Sequence, residues 1–200
     1  MAEHDEHNEH ETEAEEAPRI SPEQAARRAA AMAYIRQWGD PVLKSRAMNV
    51  TQFDDDLRDQ IAGMGEIMND AYGIGLAATQ LGKLNRVLVY RVEQDSPVIA
   101  LVNPELEWAG KEVEGAEEGC LSLRGVLVEV ERPVNVRVRA QDADGEAVVV
   151  EASGLEARVI QHEMDHLDGV LILDRTTRGE RKQAMRALRE QAADADGKAA

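Results

Sequence analysis

Two histidines, His162 and His166, stand four residues apart in Gln161-His162-Glu163-Met164-Asp165-His166-Leu167-Asp168-Gly169, and Glu163 directly follows the first. On an α-helix, positions i and i+4 lie one above the other on the same face. Two imidazoles in that relation can grip one metal ion, and a glutamate beside the first can serve as general base for a water on that ion. The pattern therefore asks for a helix with a cavity in front of it. The flanks agree: Ser153 or Gly154 can open the helix, Leu155, Val159 and Ile160 give it an apolar side, and Gly169 can end it. The competing reading is an amphipathic helix that carries two histidines by chance.

A tetrahedral site needs a third ligand from elsewhere. The chain has five histidines, at positions 4, 7, 10, 162 and 166, and a single cysteine, Cys120. Cys120 sits in Glu118-Gly119-Cys120-Leu121-Ser122, read as a tight Gly-Cys turn after an acidic run. A lone cysteine is most often a small buried hydrophobe. As a thiolate beside a two-histidine helix, it completes a tetrahedral set with one position left for water.

The formal net charge of −16 is unevenly spread: eight carboxylates and no Lys or Arg fall within residues 1–17. That segment lacks aromatic and branched aliphatic residues, so residues 1–20 read as a disordered acidic tail. His4, His7 and His10 recur within it, but nothing there closes a ligand cage, and a solvated arm is the preferred reading. Residues 21–192 read as one catalytic domain, with 193–200 as a flexible end. One cysteine rules out an internal disulfide and suits a reducing compartment. No apolar run approaches the ~20 residues of a membrane span, and the N-terminus resembles neither a secretory signal nor a transit peptide. A cytoplasmic location is expected.

Along the chain, an Ala-rich helix is expected near Pro22–Ala33, followed by a turn at Gly39-Asp40-Pro41. Asp54 to Asp56 can cap a helix whose stripe is Leu57, Ile61, Met64 and Met68, and Gly73 is placed to stop it. The Gly73–Gln80 loop fails as a phosphate loop, because no Lys-Ser/Thr pair follows. Its glycines instead suit close backbone approach to a ligand, and Gln80 offers an amide donor. Residues 86–91 and 98–102 are β-rich, Val134, Val136 and Val138 alternate with polar residues, and Asp142–Gly145 marks a hairpin. The fold class is α+β, with mostly antiparallel sheets packed around a central metal-binding helix and a C-terminal helix at about 178–191. Arg178, Arg181, Lys182, Arg186 and Arg189 make that last helix a basic island on an acidic chain, which by composition alone is an ordinary solvated face.

Three blocks, Gly73-Ile74-Gly75-Leu76-Ala77-Ala78-Thr79-Gln80, Glu118-Gly119-Cys120-Leu121-Ser122 and Gln161-His162-Glu163-Met164-Asp165-His166, occur in that order. Together they resemble the signature motifs of peptide deformylase of the type 1, bacterial form, over about Ile35 to Arg189. The resemblance implies a hydrolase that removes the formyl group from the formylmethionine of newly made polypeptides and releases formate. It implies one divalent ion held by Cys120, His162 and His166, with Fe²⁺ expected natively and Zn²⁺, Ni²⁺ or Co²⁺ able to replace it. It also implies Glu163 as general base, with the Gln80 amide and the Leu121 N–H meeting the oxyanion. Ile74, Gly75, Gly119, Leu155 and Val159 are the expected substrate-binding residues, since Leu155, Val159 and His162 form an apolar strip leading to the ion. Docking of the basic C-terminal helix near the ribosomal tunnel exit is a further implication.

The chain departs from the family pattern at Leu123 and Arg124, where a small apolar residue and then proline are common, and at Leu127 and Glu131, where arginine and proline are common. A zincin-type metallopeptidase shares the motif helix but takes its third ligand from a downstream Glu or His, which Cys120 does not fit. A catalytically silent ribosome-associated protein would show a lost ligand or base, and none is lost.

Overall fold

The computed structural model describes residues 20–93 and 95–198, so the acidic tail expected at the N-terminus lies outside the described residues apart from Ile20. Helix α1 (Pro22–Tyr34) starts in a reciprocal cap, with the Ser21 hydroxyl accepting from the Gln24 N–H and the Gln24 side chain accepting from the Ser21 N–H. An extended strap, Ile35 to Trp38, leads to a short 3₁₀ turn, Pro41–Lys44, capped by the Asp40 carboxylate. Helix α2 (Asp55–Asp70) is capped by Asp54, which accepts from the Leu57 N–H. Its stripe buries Leu57, Met64 and Met68 against α1 and the sheet.

Gly73 does not stop α2 in the manner expected. The left-handed residue is Tyr72, with φ of 59°, and the Gly73 N–H then closes on the Met68 carbonyl at 2.9 Å. Gly73 serves volume instead, because a Cβ there would lie 2.9 Å from Leu121 Cδ1.

Five antiparallel strands form the main sheet in the order β1 (Gly75–Ala77), β2 (Val87–Tyr90), β3 (Ile99–Ala109), β6 (Asn135–Gln141) and β7 (Ala147–Ser153). Strand β2 is buried on both faces, which explains its unbroken apolar run: Val87 and Val89 meet α1 and α2, while Leu88 and Tyr90 meet the motif helix. That helix, α3 (Gly154–Leu167), buries Ala157, Val159, Ile160 and Leu167 against Leu101, Val136, Val138 and Ala152.

The second sheet is a hairpin, β4 (Val113–Cys120) with β5 (Leu123–Pro133). It was not legible as strands, because β4 is acidic and glycine-containing. β5 alternates cleanly, with Val126, Val128 and Val130 buried against α4 (Ile172–Arg175) and α5 (Arg178–Lys198). α5 therefore runs past the expected end at 191 and takes in most of the segment read as a frayed tail. Ala192, Ala193 and Ala195 are strong helix formers and carry it on.

Helix α3 ends at Gly169, which has φ of +72° and stands where a Cβ would fall 2.6 Å from the Lys44 carbonyl oxygen. The Ala47 N–H binds the Leu167 carbonyl at 2.8 Å beside it, so the helix end is docked on the segment after the 3₁₀ turn. Gly169→Ala combines a left-handed backbone with a backbone clash and should lose roughly 1–3 kcal/mol of stability in urea unfolding. An unchanged midpoint would show that this junction yields without cost.

Candidate metal centre

The site forms where three elements meet: the end of β4, the loop from β1 to Gln80, and one face of α3 from Leu155 to His166. A cleft of about 350 Å³ is lined by Ile74, Gly75, Gln80, Gly119, Cys120, Leu121, Leu155, Val159, His162 and Glu163. His166, wholly buried, closes its inner end. One ligand atom each from Cys120, His162 and His166 lies within 4.8 Å of the others, and Cys120 Sγ is 3.2 Å from His166 Nε2. The residues expected at the site thus line this one cleft, with Leu155 and Ile74 exposed, and His166 joins them through the ligand cluster.

Register places the thiol. Gly119 pairs with Leu127, but Cys120 pairs with Leu123, so a break in the ladder turns the Cys120 side chain toward α3. The cysteine therefore ends a strand and does not sit in a free turn. The Ser122 N–H points back at Cys120 Sγ at 3.4 Å, and Gln80 Nε2 lies 3.7 Å from the same sulfur. Gln80 is held at its other end, where Oε1 accepts from the Ala77 N–H at 2.9 Å, and Nε2 also reaches the Ser122 hydroxyl at 3.3 Å.

Glu118 is the residue that the sequence left unassigned. Its buried carboxylate accepts from His162 Nδ1 at 2.9 Å, from Arg132 at 2.6 and 2.9 Å, and from Arg158 at 2.8 Å. Acceptance at Nδ1 fixes the His162 tautomer and leaves Nε2 for a ligand. Arg132 then passes to Asp165 on α3 at 2.9 Å, and Arg175 of α4 bonds the same carboxylate. Glu118 and Asp165 both lie inside the motif blocks. Arg132 sits 14 and 33 residues from them, and no local pattern links it to either.

The electrostatics suit a cation. Burial opposes charge on His162, but the Cys120 sulfur and Glu118 overcome that and favour positive charge at this ring. Burial holds His166 well below its ordinary value, neutral and fit to act as a ligand. Glu163 is buried with Oε2 lacking any partner among the described residues, and burial pushes its carboxyl up to about 7. A cation among the three ligand atoms would favour the charged carboxylate. Gly75 makes room for it, since a Cβ there would fall 2.4 Å from Glu163 Oε1. The donor set of one thiolate and two imidazoles, with an unpartnered buried carboxylate alongside, fits a tetrahedral divalent ion with one open position.

The pair energetics give a pH signature. Burial raises Glu118, but its hydrogen bonds from Arg132 and His162 prevail and hold it at about 2, against an ordinary 4.5. A group lowered on folding contributes stability that is complete above its unfolded value and lost as pH falls through the folded one. A displacement of this size corresponds to roughly 3 kcal/mol. In metal-free protein, the stability gap between wild type and Glu118→Gln should be widest near neutral pH and close between about 4.5 and 2. A gap that stays constant across that range would remove Glu118 from the account.

Residues 32–182 match the family model described as polypeptide deformylase. A peptide deformylase of Acidothermus cellulolyticus is 48% identical over 156 residues, covering 78% of this chain and 85% of that protein. A peptide deformylase of Thermotoga neapolitana is 47% identical over 163 residues, covering 82% and 98%. Among solved structures, a peptide deformylase from Synechococcus elongatus in complex with actinonin is 41% identical at a TM-score of 0.74, covering 76% and 85%. Peptide deformylase 1B of Arabidopsis thaliana is 33% identical at a TM-score of 0.76, covering 82% and 92%.

Proposed function

This chain belongs to the peptide deformylase family, and from that premise we propose how its residues divide the work. The family's activity, metal-dependent hydrolysis that removes the N-formyl group from newly made polypeptides, is the activity of this chain. The observation that carries the assignment of roles is the meeting of three ligand atoms within 4.8 Å beside a buried, unpartnered carboxylate.

Cys120, His162 and His166 hold the ion, and Glu118 orients His162 through Nδ1. Bound there, the ion would supply Lewis acidity. Glu163 accepts the proton of the attacking water and delivers it to the amine as the formyl C–N bond breaks, giving formate and a free N-terminus. Gln80 Nε2 and the Leu121 N–H meet the charge that develops on the formyl oxygen. Ile74, Leu155 and Val159 wall the pocket for the methionine side chain, and the glycines at 75 and 119 let the substrate backbone come close. The ligand set accepts Fe²⁺, Zn²⁺, Ni²⁺ or Co²⁺, and Fe²⁺ is the proposed native ion. Residues 21–192 act as one catalytic domain.

Metal content and formate release, measured together on three proteins, test these roles. Glu163→Ala should keep one equivalent of metal while turnover falls ~10²–10⁴-fold, as loss of a general base does. Cys120→Ala should lose both. A Cys120→Ala protein that still holds metal and deformylates would end the assignment, and metal loss in Glu163→Ala would make that residue a structural support.

We further propose a cytoplasmic setting, with α5 as the ribosome contact. No helix among the described residues is long and apolar enough to cross a membrane. Arg178, Lys182 and Arg189 of α5 have no ion pair among the described residues, and Arg186 pairs only with exposed Glu190. Such a face suits RNA phosphates. Neutralising Arg181, Lys182, Arg186 and Arg189 together should weaken co-sedimentation with ribosomes and flatten its salt dependence, while deformylation of short peptides stays at the wild-type rate. Binding that is unaltered and insensitive to salt would return α5 to a plain solvated face.

A further inference from the structure

The strap between α1 and the 3₁₀ turn touches neither the cleft nor the ligand atoms, yet it holds both sides of the oxyanion site. The Arg36 N–H donates to the Gln80 carbonyl at 2.7 Å, and the Trp38 N–H donates to the Ser122 carbonyl at 2.9 Å. Between them, Gln37 Nε2 donates to the Leu121 carbonyl at 3.2 Å and to the Ile35 carbonyl at 3.0 Å. Gln37 is half-buried and 84 residues from Leu121 in sequence, and the hydrogen bond is its one side-chain link to the turn.

The Leu121 carbonyl and the Ser122 N–H belong to one planar peptide unit. That unit is pinned at both ends: Gln37 holds its oxygen, and its N–H points at Cys120 Sγ at 3.4 Å. If the plane rotates, the Ser122 N–H leaves the sulfur and the adjoining Leu121 N–H swings with it. A misplacement of about 1 Å in such a donor can cost ~10²-fold in rate.

We propose that Gln37 is a positioning residue: its amide fixes the Leu121–Ser122 peptide plane, and through it sets the direction of the Leu121 N–H and the hydrogen bond to the Cys120 sulfur. The first of these effects rests on the reading of Leu121 and Gln80 as oxyanion donors, and the second does not. The strap thereby joins the end of α1 to the reacting centre, because Arg36 fixes the loop bearing one donor while Gln37 and Trp38 fix the turn bearing the other.

Gln37→Glu keeps the shape and removes the donor; Gln37→Lys keeps a donor. Three measurements on the full chain are compared with wild type: kcat and KM on a formyl-Met peptide, thermal unfolding, and the ¹⁵N–¹H shifts of Leu121 and Ser122 in zinc-loaded protein. Gln37→Glu should lower kcat about tenfold, between no effect and the ~10²–10³-fold of a deleted oxyanion donor. KM and the melting temperature should stay close to wild type, the two amide resonances should move, and Gln37→Lys should recover most of the rate. Wild-type kcat together with unmoved Leu121 and Ser122 resonances in Gln37→Glu would overturn the proposal. A parallel Gln80→Ala keeps the two readings apart. If Gln80→Ala retains full turnover, the oxyanion reading fails by itself. The amide shifts then decide on Gln37 alone: moved resonances uphold its hold on the turn, and unmoved ones refute it.

Discussion

One buried carboxylate, Glu118, is the interaction on which the site depends. Taking it from water would be costly without partners, and here it has them from two separate elements: His162 and, one turn earlier, Arg158 on α3, and Arg132 on β5. Because Glu118 stands two residues before Cys120 on β4, the network fixes the distance between the strand that carries the thiol and the helix that carries the imidazoles. Arg132 extends it to Asp165, and Arg175 ties in α4. The apolar contacts of α3 with the main sheet would allow small slides. Directional, charge-assisted bonds to a buried carboxylate do not.

The same stretch of protein sends two carboxylates to opposite fates. Glu118, saturated with donors, is held at about 2, while Glu163, buried with one oxygen unpartnered, rises to about 7. Environments that push two titratable groups apart mark a division between anchor and proton carrier. The Glu163 value is that of the protein groups alone. A cation among Cys120, His162 and His166 favours the charged form, so the proposed base is ready for a proton when the ion is present and holds one in its absence. Metal loading and base competence are thereby coupled through space.

The motif helix, the cap at Asp54, the alternation of β6 and the Asp142–Gly145 turn were all legible, because each is written in local spacing. The pair His162 and His166 was legible for the same reason, and Cys120, which meets them in the fold, through the family resemblance. What was not legible is non-local. The β4–β5 hairpin hid behind an acidic β4 in which the one buried residue is itself a carboxylate, Glu118. The end of α2 fell to Tyr72, which takes the left-handed region usually left to glycine. Gly73 was read as a helix stop, and the glycines of its loop as room for a ligand to come close. They are small for a different reason, to let Leu121 and Glu163 approach. Arg132 carries no signal at all until the hairpin brings it to Glu118.

The departures from the family pattern fall where the structure tolerates them. Leu127 and Glu131 stand on the outer face of β5, exposed, while Val126, Val128 and Val130 between and beside them carry the packing. Neither residue lines the cleft, and exchange on that face leaves Cys120, His162 and His166 untouched. Arg124 is different, because it replaces a residue that would stiffen the turn after Cys120. Its guanidinium donates to the Met32 carbonyl at 3.0 Å, in the last turn of α1, a helix with no basic residue of its own at that end. A cation there adds a second donor to a carbonyl that the Ile35 N–H also reaches, and complements the helix dipole. The turn that proline would have stiffened from within is instead held from outside by α1, next to the strap that already grips Leu121 and Ser122. In this chain the N-terminal helix has therefore become part of the support of the metal centre.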